Sequence, residues 1–352
     1  MSTSHAYNNE PRLVAWEVTR SCNLNCVHCR ASSEKGPYHG ELNTEKSMEI
    51  LEQIASMAKP IIILTGGEPL MREDIFDLAS YGTQLGLRVV MATNGTLLTR
   101  NTTDKIKSSG IKRVSISLDG PDSQGHDRFR KVPGAFDSAL RGIALLREAG
   151  VDFQINTTVT RHNVDQIGNV LEMAIELGAV AHHIFLLVPT GRAREMVNQE
   201  IDSREYERLL HWFYNMRDKV PVHLKATCAP HYYRILRQEA YEKGEKVDFE
   251  TYGLDAVTRG CLGGTSFCFI SYDGIVQPCG YLELHCGDLK QSSFDTIWRD
   301  SDVFNNLRDF SAYKGKCGRC EYRKVCGGCR ARAYEATGDY MAEEPLCVYQ
   351  PA

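Results

Sequence analysis

Three cysteines, Cys22, Cys26 and Cys29, fall within the eight residues CNLNCVHC. Thiolates this close together ligate metal, but a closed zinc site needs four ligands, and so does a four-iron cubane. His28 lies between two of the cysteines and is poorly placed to complete a tetrahedral site with them. The set suits a cubane with three protein thiolates and one open iron, a position at which a small molecule can bind.

The other cysteines reinforce a metal reading. The chain has thirteen, nine of them from Cys261 onward. Cys261 is followed by Gly274-xxxx-Cys279, then by Cys317-xx-Cys320-x5-Cys326-xx-Cys329, and finally by Cys347. The interval between the two CxxC pairs is far shorter than the ~15–20 residues of a zinc ribbon. Disulfides belong to exported chains, and the start MSTSHAYNNEPR lacks the apolar stretch of a signal peptide. No apolar run approaches the ~20 residues needed to span a bilayer. A net charge of -4 offers no basic face for nucleic acid. We therefore expect a cytoplasmic protein without membrane or nucleic-acid partners.

These residues must be positioned by something, and the first half of the chain alternates β-rich and helical runs. LVAWEVT, IIILTG, RVVMATN, RVSISLDG, DFQINTTVT and HHIFLLVP read as strands buried on both faces. NTEKSMEILEQIASMAK, DKIKSSG, FDSALRGIALLREAG and VDQIGNVLEMAIELG read as helices, the last three closed by glycine. Six β/α units over residues 13–195 predict an α/β fold, a partial (β/α)6 TIM-like barrel with its chemistry at the strands' C-terminal ends. Cys22 follows the first strand directly. Residues 196–255 read as a helical linker without strands, and 256–352 as a Cys-rich iron–sulfur domain in which metal ligation replaces an aliphatic core.

The CxxxCxxC loop after a first strand resembles the signature of radical S-adenosylmethionine enzymes. In that family the cofactor's methionine moiety chelates the fourth iron of a [4Fe-4S] cluster, and reductive cleavage yields a 5'-deoxyadenosyl radical. His28 stands where the family usually has an aromatic residue, so the resemblance puts a planar side chain near the adenine. TGGEPL resembles the family's GGEP motif, which implies close approach at Gly66 and Gly67 and a Glu68 carboxylate accepting from the cofactor's ammonium. ATNG supplies Asn94, and SISLDG supplies Ser117 and Asp119 near ribose and methionine. Asn156 and Thr158 match a polar contact on the fifth strand, and His126, Asp127 and Arg130 lie in a family-like loop. The C-terminal cysteines resemble the SPASM extension, which holds one or two auxiliary [4Fe-4S] clusters. The resemblance implies Cys317, Cys320, Cys326 and Cys347 for one, and Cys261, Cys279 and Cys329, with Cys268 as a candidate fourth, for another. Cys228 and Cys286 are left as buried free thiols.

RLVAWEVTRSCNLNCVHCRAS and FLLVPTGRA extend the resemblance, over nearly the whole chain, to the family's haem-forming branch. That implies a tetrapyrrole substrate, iron-coproporphyrin III, two of whose propionates are oxidatively decarboxylated to vinyls. His182, His183 and Arg192, with Arg194 and Arg130 behind them, are then the candidate propionate partners, and an electron donor and acceptor are required. Related enzymes modify other tetrapyrroles, peptides or sulfatases. Several of the peptide enzymes carry a recognition domain ahead of the first strand, for which the twelve residues before Leu13 leave no room.

Overall fold

A computed structural model describes residues 10–351, so most of the opening segment read for export lies outside the described residues. All six expected strands form: β1 (Leu13–Thr19), β2 (Ile61–Gly66), β3 (Arg88–Thr93), β4 (Val114–Ser117), β5 (Phe153–Val159) and β6 (Ala181–Leu186). Each runs parallel to the next. The intervening helices are α1 (Thr44–Met57), α2 (Ile75–Gln84), α3 (Arg100–Ser108), α4 (Ser123–Arg130), α5 (Ala135–Ala149) and α6 (Ile167–Glu176). Asn43 caps α1 by accepting from the Lys46 N–H at 2.9 Å. Gly150 ends α5 with φ 67°, a conformation open to glycine at little cost.

Two expectations are corrected. Residues 196–255 are not purely helical: between α7 (Ser203–Met216) and α8 (His231–Glu242) they contribute β7 (His223–Thr227), parallel to β6. Its period-2 pattern buries Leu224 and Ala226 and turns His223, Lys225 and Thr227 the other way. The Cys-rich region, for its part, does build core. Its β8 (Phe267–Ile270) pairs parallel with β1, and β9 (Ile275–Gln277) and β10 (Gly287–Asp288) follow antiparallel. Aliphatic and aromatic residues share the work here: Ile270, Val276, Leu289 and Ile297 join the main core together with Phe294, Trp298 and Phe304.

The product is a TIM-like but open α/β barrel, a ten-stranded mixed sheet ordered β10-β9-β8-β1-β2-β3-β4-β5-β6-β7. Alternate strand residues such as Trp16, Ile62, Met91, Ile116 and Ile155 pack with α1, α2, α3, α5 and α6. Ile184, Leu224 and Ala226 pack with α7 and α8 in a second core. The opposite face carries Ser115, Ser117, Gln154, Asn156, Thr158, His183 and Lys225, aligned by the register of β4 to β7. The polar interior of the barrel is thus built by strand alternation.

Candidate functional site

The loop after β1 gathers Cys22, Cys26 and Cys29 around Leu24 and Ala135. Each sulfur receives a hydrogen bond: from the Leu24 N–H to Cys22 (3.4 Å), from the Ser33 N–H to Cys29 (3.4 Å) and from Arg130 Nη1 to Cys26 (3.6 Å). All thirteen cysteines are free thiols. Burial pushes the Cys22 thiol up to about 12, so an iron centre would have to supply the charge that ionises it. Three sulfurs on one short loop, each with a donor, fit a cluster with one open position. His28 stacks on Phe129 with ring centroids 4.3 Å apart.

The GGEP segment at the end of β2 holds this loop from below. A Cβ on Gly66 would lie 2.3 Å from the Thr19 carbonyl oxygen, and one on Gly67 would lie 2.4 Å from that of Ser21. Only glycine permits that approach, and it allows the Gly67 and Glu68 N–H groups to donate to Thr19 and Ser21, both at 2.8 Å. The Glu68 side chain is fully buried and accepts from Thr93 Oγ1 (2.7 Å), the Asn94 N–H (2.8 Å) and the Leu70 N–H (3.1 Å). Its carboxylate therefore braces β2 against β3 as well as being a candidate cofactor contact. Asn94 donates to Asn23 at 2.8 Å, tying ATNG to the cysteine loop.

Asp119, past the end of β4, pairs with Arg130 at 2.6 Å and accepts from the Thr158 N–H at 2.9 Å. Burial works against the Arg130 charge, but Asp119 and Cys26 hold its pKa up. His126 Nδ1 accepts from the Asp119 N–H at 3.2 Å, and Asp127 caps the turn into α5 through Gly134 and Phe136. Ser117 and Asn156 are register partners on the polar face, and Asn156 accepts from Gln154 at 2.9 Å.

The three residues expected to meet propionates part company. His182 points into the core: Thr157 Oγ1 donates to the Leu118 carbonyl, which leaves Nε2–H of His182 to donate to Thr157 at 2.9 Å. Arg192 is occupied by the cysteine loop, donating to the carbonyls of Cys26 and Ser33, both at 2.9 Å, while its N–H donates to Cys29 at 3.0 Å. Gly191, at φ +55°, approaches so closely that a Cβ would lie 2.1 Å from the Arg30 carbonyl oxygen. The TGRA segment is thus a clamp on the loop. His183 alone faces the barrel interior, paired in register with Lys225. Lys225 was not singled out from sequence; burial lowers its pKa, with Asp255 opposing.

The Cys-rich region forms two further groups. Cys317, Cys320, Cys326 and Cys347 line one small pocket, with Arg234, Lys316 and Arg323 around it. Cys279 and Cys329 pack together on another side, and Cys261 donates its N–H to the Cys326 carbonyl at 3.1 Å. Cys268 is not brought to them: it sits on the helix-facing side of β8, opposite Val14 in register, in the main core beside Cys286. Sequence reading also missed Arg332 and Glu344, both fully buried. Glu344 accepts from the Cys329 N–H at 2.7 Å and from Arg332 at 3.3 Å. Their contacts span distant segments, so no local pattern marks them.

Comparison with known proteins agrees with this architecture. A profile described as the radical SAM superfamily matches residues 16–174, and a SPASM iron-sulfur cluster-binding domain matches residues 261–330. The chain is 56% identical over 340 residues to the AdoMet-dependent heme synthase of Nitratidesulfovibrio vulgaris, covering 97% of this chain and 93% of that one. It is 54% identical over 346 residues to the AdoMet-dependent heme synthase of Methanosarcina barkeri, covering 98% and 99%. In fold it is similar to Streptococcus suis SuiB bound to S-adenosylmethionine, with a TM-score of 0.77 at 18% identity, covering 97% of this chain and 78% of that one.

Proposed function

This chain belongs to the radical S-adenosylmethionine superfamily, and from that premise we propose that it is a haem synthase converting two propionates of iron-coproporphyrin III to vinyl groups. The observation that carries the reading is its whole-chain identity to two AdoMet-dependent heme synthases. When bound, the first cluster and S-adenosylmethionine supply a 5'-deoxyadenosyl radical, and the auxiliary clusters supply a one-electron acceptor. Loss of a hydrogen atom from a propionate β-carbon, then of carbon dioxide, leaves a vinyl group and one electron, so charge and atoms balance.

The protein's own tasks follow. Cys22, Cys26 and Cys29 hold the first cluster, with TGRA and GGEP fixing their loop. His28, Gly66, Gly67, Glu68, Asn94, Ser117, Asp119, Asn156 and Thr158 surround the cofactor. His183 and Lys225 present nitrogen to a propionate inside the barrel, where a desolvated ammonium gains most from a carboxylate partner. In this reading residues 1–195 carry the radical chemistry and 256–352 the auxiliary clusters, and 196–255 joins them while contributing β7. No helix among the described residues is long and apolar enough to cross a membrane, and a cytoplasmic setting would keep thirteen thiols reduced.

The test is anaerobic incubation of the reconstituted protein with reductant, S-adenosylmethionine and iron-coproporphyrin III. Chromatography should show haem and 5'-deoxyadenosine rising together. Release of 5'-deoxyadenosine with the pigment unchanged would keep the family chemistry and overturn the substrate.

A further inference from the structure

We propose that Cys228 is the fourth thiolate of the auxiliary cluster held by Cys261, Cys279 and Cys329, which makes that cluster fully protein-ligated. The inference rests on the presence of auxiliary clusters and not on the identity of the substrate. A cubane takes four ligands, and three of these positions are already grouped. Cys268 and Cys286 are both committed to the main core on the far side of β8. Cys228, in contrast, packs in the same apolar cluster as Cys279 and Cys329, beside Val188 and Leu282.

The backbone around Cys228 is built to hold it there. It follows β7 directly and takes φ +56°, one of only three non-glycine residues with positive φ among the described residues. Such a conformation persists only where the surroundings over-determine it, and it gathers at functional sites. The surroundings here are the Arg332 guanidinium and the Tyr206 hydroxyl, which donate to the Cys228 carbonyl, each at 3.3 Å. Arg332 also pairs with Glu344, which accepts from the Cys329 N–H, so the positions of Cys228 and Cys329 are fixed against each other. On the other flank, a Cβ on Gly260 would lie 2.5 Å from Pro230 Cα, so the Cys228–Pro230 loop lies directly against the segment bearing Cys261. After burial itself, the thiols of Cys329 and Cys279 are the neighbours that most raise the pKa of the Cys228 thiol.

A closed cluster has no iron free for a propionate, so its part is to accept an electron. Its position suits that: Arg30, next to Cys29, lies 4.2 Å from the Phe269 ring centroid and against Gly280, the neighbour of Cys279. The test starts from full-length protein with Cys22, Cys26 and Cys29 all replaced by Ala, which should retain about eight irons in two cubanes. Adding Cys228→Ala, or Cys228→Gly, which suits the left-handed backbone and guards against misfolding, should act in one of two ways. Iron falls to about four, or it stays near eight with an electron paramagnetic resonance spectrum that becomes responsive to added imidazole. Eight irons with an unchanged, imidazole-insensitive spectrum in both variants would overturn the proposal. So would that behaviour appearing in Cys268→Ala instead. A parent holding only about four irons would remove the second auxiliary cluster and the proposal with it, while haem formation by the unmodified enzyme is judged separately.

Discussion

Substituting Gly191 by Ala tests whether the TGRA segment positions the first cluster. The left-handed φ of +55° alone costs an alanine about 1–2 kcal/mol. The added methyl would sit 2.1 Å from the Arg30 carbonyl oxygen and 2.5 Å from that of Cys29, so something must move. If the loop holds still, overpacking adds about 1–3 kcal/mol. If it yields, relief needs a shift of roughly 1 Å in the backbone that carries Cys29, and displacements of that size cost about 100-fold in rate. Gly150→Ala is the control: its φ is +67° but nothing lies within 4 Å of the new methyl, so it carries the conformational cost alone. We expect Gly191→Ala to release 5'-deoxyadenosine about 100-fold more slowly and to lose iron from the first cluster while keeping auxiliary iron. Gly150→Ala should lose stability without losing cleavage. Cleavage and iron within twofold of wild type in Gly191→Ala would show that the close approach does not position the loop.

Two further outcomes follow from buried charge. Asp119→Asn leaves Arg130 without its partner at 2.6 Å, and breaking such a pair costs about 3–5 kcal/mol; the loss should be larger in iron-free protein, where Cys26 carries no cluster charge, and equal losses with and without iron in urea unfolding would contradict that. Burial holds His182 down to about 4, whereas an unfolded histidine titrates near 6.5, so its contribution is complete above about 6.5 and is lost as pH falls toward 4. His182→Asn should flatten the pH dependence of stability in that window by about 1.4 kcal/mol per unit, and an unchanged slope would show that His182 is not the group responsible.

What could be read from sequence was what is local. Six strands announced themselves as β-rich runs, and the ligand loops as cysteines at short spacings. β7 was hidden because its alternation, Leu224 and Ala226 against His223 and Lys225, is brief and lies between two charged aromatic helices. Residue type marked Arg192 as a cation for carboxylates, but its partners are loop carbonyls contributed by residues far away in the chain. Cys228 lies immediately after β7, so its placement could be read only once that strand was seen. Arg332 and Glu344 carried none.

The open sheet explains why these long-range contacts exist. With β7 and β10 at its edges rather than paired to each other, the barrel is completed by side chains. Arg332 donates to the Leu187 carbonyl (2.9 Å) just past β6 and to Cys228 just past β7, and pairs with Glu200 and Glu344. On the β1 side, Arg30 pairs with the buried Glu17 at 3.7 Å and stacks on Phe269 of β8. One arginine thus anchors the Cys-rich region to the far strands and the other couples the first cysteine loop to it. A closed barrel would leave β8 no edge on β1 to join. The opening is therefore what lets the Cys-rich region pack beside the first cysteine loop, with Arg30 against Phe269 and Gly280.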